Sequence, residues 1–110
     1  EEYERSESIL IELIESNPQR LDFYNHLGRI YGWQREFDRA EDLLKRALDK
    51  TNELSKEYRI ARIYHELGKL YLKQDNYDRA EENLNKAKKR FEEMGMELSL
   101  DRCEEELDNM

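Results

Sequence analysis

Apolar residues recur every three or four positions along most of the chain, and the runs break at short polar joints. Tyr24, Leu27, Gly28 and Tyr31 are followed by Phe37, Ala40, Leu44 and Ala47, and the same order returns in Tyr64, Leu67, Gly68 and Tyr71. That spacing marks one face of an α-helix. The joints Gln34-Arg35-Glu36 and Gln74-Asp75-Asn76 are the length that turns one helix back antiparallel to the last. The pattern predicts six helices, over about 2–16, 20–33, 37–51, 55–73, 77–94 and 97–109. With one Pro and four Gly among 110 residues, and Glu, Lys, Arg and Leu abundant, nothing favours a sheet and the expected class is all-α.

The chain also repeats itself. Tyr3-Glu4-Arg5-Ser6-Glu7, Phe37-Asp38-Arg39-Ala40-Glu41 and Tyr77-Asp78-Arg79-Ala80-Glu81 are one motif, offset first by 34 and then by 40 residues. Leu27-Gly28-Arg29-Ile30-Tyr31 returns 40 residues later as Leu67-Gly68-Lys69-Leu70-Tyr71, and Leu44 with Ala47 returns as Leu84 with Ala87. Repeats of this length mean stacked helical hairpins, a solenoid. Gly28 and Gly68 lack a side chain where two helices must approach closely, and Ala40, Ala47, Ala80 and Ala87 serve the same end on the second helix of each hairpin. A leucine at Ala40 or Ala80 should overpack the seam by roughly 1–3 kcal/mol. Tyr24, Tyr31, Tyr64 and Tyr71 add large apolar area with a hydroxyl expected at the solvent edge.

Tyr24, Leu27-Gly28, Tyr31, Phe37, Ala40, Leu44 and Ala47, repeated 40 residues on, resemble the tetratricopeptide repeat signature, and Pro18 sits where that family's repeat-ending proline falls. The resemblance implies a right-handed superhelical solenoid of antiparallel hairpins. The longer spacing is similar to the variety found in scaffold and signal-regulator proteins. Tyr3, Ser6, Leu10 and Leu13 align with Phe37, Ala40, Leu44 and Ala47, so residues 1–16 are expected to be the second helix of a repeat whose first helix is absent, followed by repeats at 20–51 and 55–94. Ile9, Leu10, Leu13 and Ile14, widened by Ile11, are then expected as an exposed stripe for a homodimer or for the rest of a parent protein. At the far end Ile60, Ile63 and Leu67 align with Leu100, Cys103 and Leu107, but Ala61, Tyr64 and Gly68 become Asp101, Glu104 and Asp108. One seam survives and the other turns polar, so 97–109 is expected to cap the stack.

Charged residues make up 42% of the chain and hydrophobic ones 37%, and the longest apolar run, Ile9-Leu10-Ile11, is far too short to cross a bilayer. No charged-then-apolar leader opens the sequence. The net charge of −8, from 19 Lys and Arg against 27 Asp and Glu, repels phosphate backbones and anionic lipids, so neither nucleic acid nor membrane is an expected partner. Cys103 is the single cysteine, which rules out an internal disulfide and fits a cytoplasmic setting.

Catalytic chemistry is not expected. No Gly-rich loop follows a strand, and Gly28-x-x-x-Gly32 lies inside a helix where close packing explains it. His26 and His65 are not equivalent in the repeat, so no shared metal site is expected, and no cofactor. Cys103 is surrounded by Glu104, Glu105 and Glu106, which oppose thiolate formation, and its alignment with Ile63 points to the core. The pairs Glu81-Glu82 and Glu92-Glu93 point different ways on their helices and read as solvated faces.

Binding remains. Stacked hairpins curve, so the first helices line a concave surface, where ligands of the resembled family usually lie. Opposite the packing residues, these helices carry Asp22, Asn25, Arg29 and Trp33, then Arg62, His65, Lys69 and Lys73, a basic strip in an acidic chain. Asn25, Arg29, Trp33, Arg62, His65 and Lys69 are the candidate groove residues, suited to an acidic peptide through charge-assisted hydrogen bonds. The plainer reading of the same residues is an ordinary solvated face. Trp33 aligns with Lys73 and is not needed for packing, which makes it a candidate binding hot spot. The family's best-known ligand is a chaperone C-terminal carboxylate. Glu66 and Glu106 occupy positions that would repel it, and no such clamp is expected. The expected function is a non-catalytic protein-interaction module, an adaptor or scaffold that holds an extended or helical peptide; the alternative is a structural module that self-assembles through residues 1–16.

Overall fold

The computed structural model describes residues 2–54 and 57–110, and in them six helices: α1 (Glu2–Ser16), α2 (Leu21–Trp33), α3 (Phe37–Leu54), α4 (Glu57–Lys73), α5 (Tyr77–Glu93) and α6 (Glu97–Asp108). The described residues contain no strand. The fold is an all-α helical-repeat solenoid. Each helix packs on the next, and α2 also meets α4, so the first helices of the two hairpins stand side by side. None of these helices is long and apolar enough to cross a membrane. The main difference from expectation is α3, which runs on to Leu54 because no Gly or Pro stops it after Lys50. Residues 55 and 56, where the fourth helix was expected to start, lie outside the described residues.

The seam between the hairpin arms follows the repeat. Ala40, Ala47, Ala80 and Ala87 are fully buried. A Cβ at Gly28 would sit 3.1 Å from Leu44 Cδ2, and one at Gly68 would sit 2.6 Å from Leu84 Cγ, so both glycines face the equivalent leucine of the second arm. Tyr24, Leu27, Tyr31, Leu44, Leu67 and Tyr71 join Ala40, Ala47 and Ala80 in one core, and Ala61, Ala87, Phe91 and Cys103 form a second against α6.

Three of the joints are the same turn. Glu36, Asn76 and Met96 each donate their backbone N–H to the carbonyl five residues back, Tyr31, Tyr71 and Phe91, at 2.8–2.9 Å. The residue before each donates to the carbonyl three back, Gly32, Leu72 and Glu92. This paired arrangement terminates a helix through one residue in the left-handed region. That residue is Arg35 (φ 61°), Asp75 (φ 58°) and Gly95 (φ 69°), only the last of which takes the conformation without strain.

The structure also explains why the Asp-Arg-Ala-Glu motif recurs. Tyr31 Oη donates to Glu7, and Tyr71 Oη donates to Glu41, the same motif glutamate one unit later. Arg39 and Arg79, the motif arginines, lie over the Tyr31 and Tyr71 rings, each at 5.8 Å. The middle copy thus ties the tyrosine of its own hairpin by Arg39 and that of the next by Glu41, while the first contributes the glutamate contact and the third the arginine contact. Burial, with the Glu41 hydrogen bond and charge, pushes the Tyr71 hydroxyl up to about 12. Tyr24 Oη donates to the Pro18 carbonyl at 3.1 Å. These three hydroxyls are thus bonded to neighbouring helices and joints, in partly buried positions.

The expected stripe on α1 is divided. Ile14 is 8% exposed and belongs to the core, and Leu10 packs against it, because this edge of α1 faces α2. Leu13 is half-buried, while Ile9 at 52% and Ile11 stay exposed. At about 100° per residue Ile9 and Ile11 lie on opposite shoulders of the helix, so they do not form one patch.

Candidate binding groove

Where α2, α4 and α6 face one another, a cavity of about 580 Å³ opens. From α2 it takes Gly28, Arg29, Gly32 and Trp33; from α4, Glu66, Lys69, Leu70 and Lys73; from α6, Arg102 and Glu106. A second cavity of about 230 Å³ adjoins it, sharing Arg29, Glu66, Lys69 and Arg102 and adding Tyr58, Arg62, His65 and Phe91. The larger cavity carries four cations and two carboxylates, in a chain whose net charge is −8.

Its centre is an ion cluster. Arg29 donates from Nε and Nη2 to Glu66 at 3.2 and 2.7 Å, and Lys69 Nζ lies 3.4 Å from the same carboxylate. Glu66 is only 8% exposed. Burial pushes its carboxyl up, but the Arg29 hydrogen bond and the charges of Lys69 and Arg29 outweigh it, and the net shift is downward. Glu66 in turn raises the Arg29 guanidinium. Lys73 is shifted the other way, lowered first by burial and then by the charge of Lys69.

The candidate residues divide unevenly. Arg29, Trp33 and Lys69 line the larger cavity, and Arg62 and His65 the smaller one. Asn25 lines neither: it is 5% exposed, its Oδ1 has no hydrogen-bond partner among the described residues, and it is closed off from a ligand. Arg62 approaches Asp22 at 3.7 Å, with Arg59 closer at 3.2 Å. His65 bonds Glu106 and stands edge-on to Phe91, their rings 6.2 Å apart. Trp33 is 55% exposed, with Tyr3 tilted against it at 6.0 Å and Lys73 Nζ 5.7 Å from its ring.

Two cations join the site beyond the candidates. Lys73 belonged to the strip and follows Lys69 by one helical turn; Arg102 repeats Arg62 at the 40-residue offset. Both were open to a reading by periodicity. Among the described residues, no group of three or more His, Cys, Asp or Glu side chains is placed to hold a metal ion. Cys103 is buried, and burial together with the Glu106 charge pushes its thiol up to about 11.

A profile of the family described as Tetratricopeptide repeat matches residues 19–93. Among solved structures the chain is similar to the N-terminal domain of stress-induced protein-1 (STI-1) from C. elegans. The two share 19% sequence identity, the match covers 86% of this chain and 76% of that one, and the TM-score is 0.66. At this identity the likeness carries the fold alone. No curated protein sequence matches the chain.

Proposed function

Because the chain belongs to the tetratricopeptide repeat family, whose fold is generally a protein–protein interaction module, we propose that it binds an acidic or amphipathic segment of a partner protein in the groove between α2, α4 and α6. One observation carries this reading: an acidic chain gathers Arg29, Lys69, Lys73 and Arg102 around a single cavity and leaves Trp33 exposed at its rim. Charges so placed steer an acidic segment, and an exposed indole offers an apolar anchor. The peptide lies along the first helices, and α6 closes the stack with Leu100 and Cys103 turned inward. A reducing, cytoplasmic setting suits the lone buried thiol of Cys103.

The test is fluorescence anisotropy with a labelled, amidated peptide of alternating Glu and Leu. K73E/R102E should weaken binding at least ~10-fold, and binding by the parent chain should fall steeply with salt. K86E/K89E changes charge equally on α5, where neither residue lines either cavity of the groove, and should leave binding unaltered. Equal effects of the two double variants would remove the groove from the account.

Self-association through α1 is a second reading, favoured by the exposure of Tyr3, Ile9 and Ile11. Leu10 and Ile14 no longer belong to it, since they face α2. Light scattering over a concentration series decides: a monomer at the highest concentration defeats it.

A further inference from the structure

The groove cations fall into two sets. Arg29 gives its Nε and Nη2 donors to Glu66, and Lys69 shares that carboxylate. Lys73 and Arg102 line the same cavity and form no ion pair among the described residues. Resting on the peptide-binding reading above, we propose that Glu66 determines the groove's specificity: it is a built-in occupant of the Nε–Nη2 edge of Arg29, closing that edge to ligands and leaving Lys73 and Arg102 to receive the partner's acidic side chains.

A guanidinium edge that already holds a carboxylate through two donors has no second such edge directed the same way. A ligand carboxylate reaches those donors only by displacing Glu66, which would strand a buried anion beside the incoming one. The gain from one more solvent-facing ion pair is too small to drive that exchange. Lys73 and Arg102 require no such displacement. They sit on α4 and α6, so a segment touching both spans the cavity that the mutually neutralised Arg29 and Glu66 also line, and Trp33 lies beside Lys73 to take an apolar side chain. The groove therefore takes a partner with separated acids flanking an apolar residue, and gains little from a carboxylate at its centre.

Calorimetric titration of the same amidated Glu/Leu peptide tests this with two variants. E66Q keeps the shape of the side chain while releasing Arg29, and should tighten binding ~10-fold, about 1.4 kcal/mol. R29Q/E66Q removes both partners of the closed pair and should bind like the parent chain, within ~2-fold. A carboxylate role in structure alone would leave E66Q unchanged or weaker. E106Q makes the same charge change at the carboxylate held by His65 and should tighten binding by no more than ~3-fold. A loss of more than ~5-fold in R29Q/E66Q would mean that Arg29 contacts the ligand already, and overturns the proposal. So does an E66Q gain no larger than that of E106Q. Should E66Q fail to fold, R29Q/E66Q against the parent still decides. Absence of binding by the folded parent chain overturns the groove reading and this inference together, whereas binding by the parent with no E66Q gain overturns this inference alone.

Discussion

The hairpins α2–α3 and α4–α5 carry the same seam residues at a 40-residue offset, yet they are not equally tight. At Gly28 the three atoms nearest an added Cβ all belong to the Leu44 side chain, at 3.1–3.5 Å. At Gly68 it meets Leu84 Cγ at 2.6 Å and the Leu84 backbone nitrogen at 3.3 Å. A side chain can turn aside; a backbone cannot without moving α5. The motif thus decides which residues face each other, while the closeness of the arms depends on everything packed around them.

The sharpest way to break that comparison is to put alanine at both glycines. Gly68→Ala should destabilise the fold by ~2–3 kcal/mol, since the clash exceeds the gain in helix propensity. Gly28→Ala should stay within ~1 kcal/mol of the parent, because a small shift of Leu44 is offset by the same propensity gain. Urea midpoints of the two variants measure the gap, and equal losses would mean that the hairpins are equally close.

Arg29 and Lys69 are the next pair, equivalent in the repeat and unequal in what they hold. Arg29→Met removes the two-donor partner of a buried carboxylate and should cost roughly 1–2 kcal/mol, discounted for the half-exposure of the arginine. Lys69→Met removes a longer contact and should cost about 0.5 kcal/mol or less. The pH dependence has a definite sign. Glu66 is held below its ordinary value of 4.5, so the pair's contribution is fully present above that value and is lost as pH falls towards the lowered one. In E66Q this acid-side loss should vanish from denaturation curves recorded between neutral and acidic pH.

The smallest difference is expected where the hairpins are alike. Arg35 and Asp75 both hold positive φ, and glycine at either should stabilise by ~0.5–1 kcal/mol, with nearly equal shifts in thermal midpoint. A loss at one position and a gain at the other would show that the two turns differ in their side-chain contacts.

The parts of this architecture legible in the sequence are those carried by spacing along one helix or by the 40-residue offset. Gly28 with Gly68, the buried alanines, the joints at Arg35 and Asp75, and the inward turn of Cys103 all follow from such spacing. The parts that were not legible depend on how neighbouring helices cross. Arg29 meets Glu66 at an offset of 37, as Asp22 meets Arg59, so both pairs lie one helical turn off the repeat register. Asn25 shares a helical face with Arg29, but the strip is closed over at its end. Leu10 and Ile14 were placed on an exposed stripe because the direction from which α2 approaches α1 is not written in the α1 pattern.

The central claim is that these hairpins leave a cationic groove for an acidic segment, and Trp33, the single tryptophan of the chain, stands at its rim as a built-in reporter. Titration of the unlabelled, amidated Glu/Leu peptide, followed by tryptophan emission, tests the claim most directly. The account predicts a saturable change in Trp33 emission that high salt and K73E/R102E both abolish. Peptide binding detected by calorimetry with no change in that emission would contradict it.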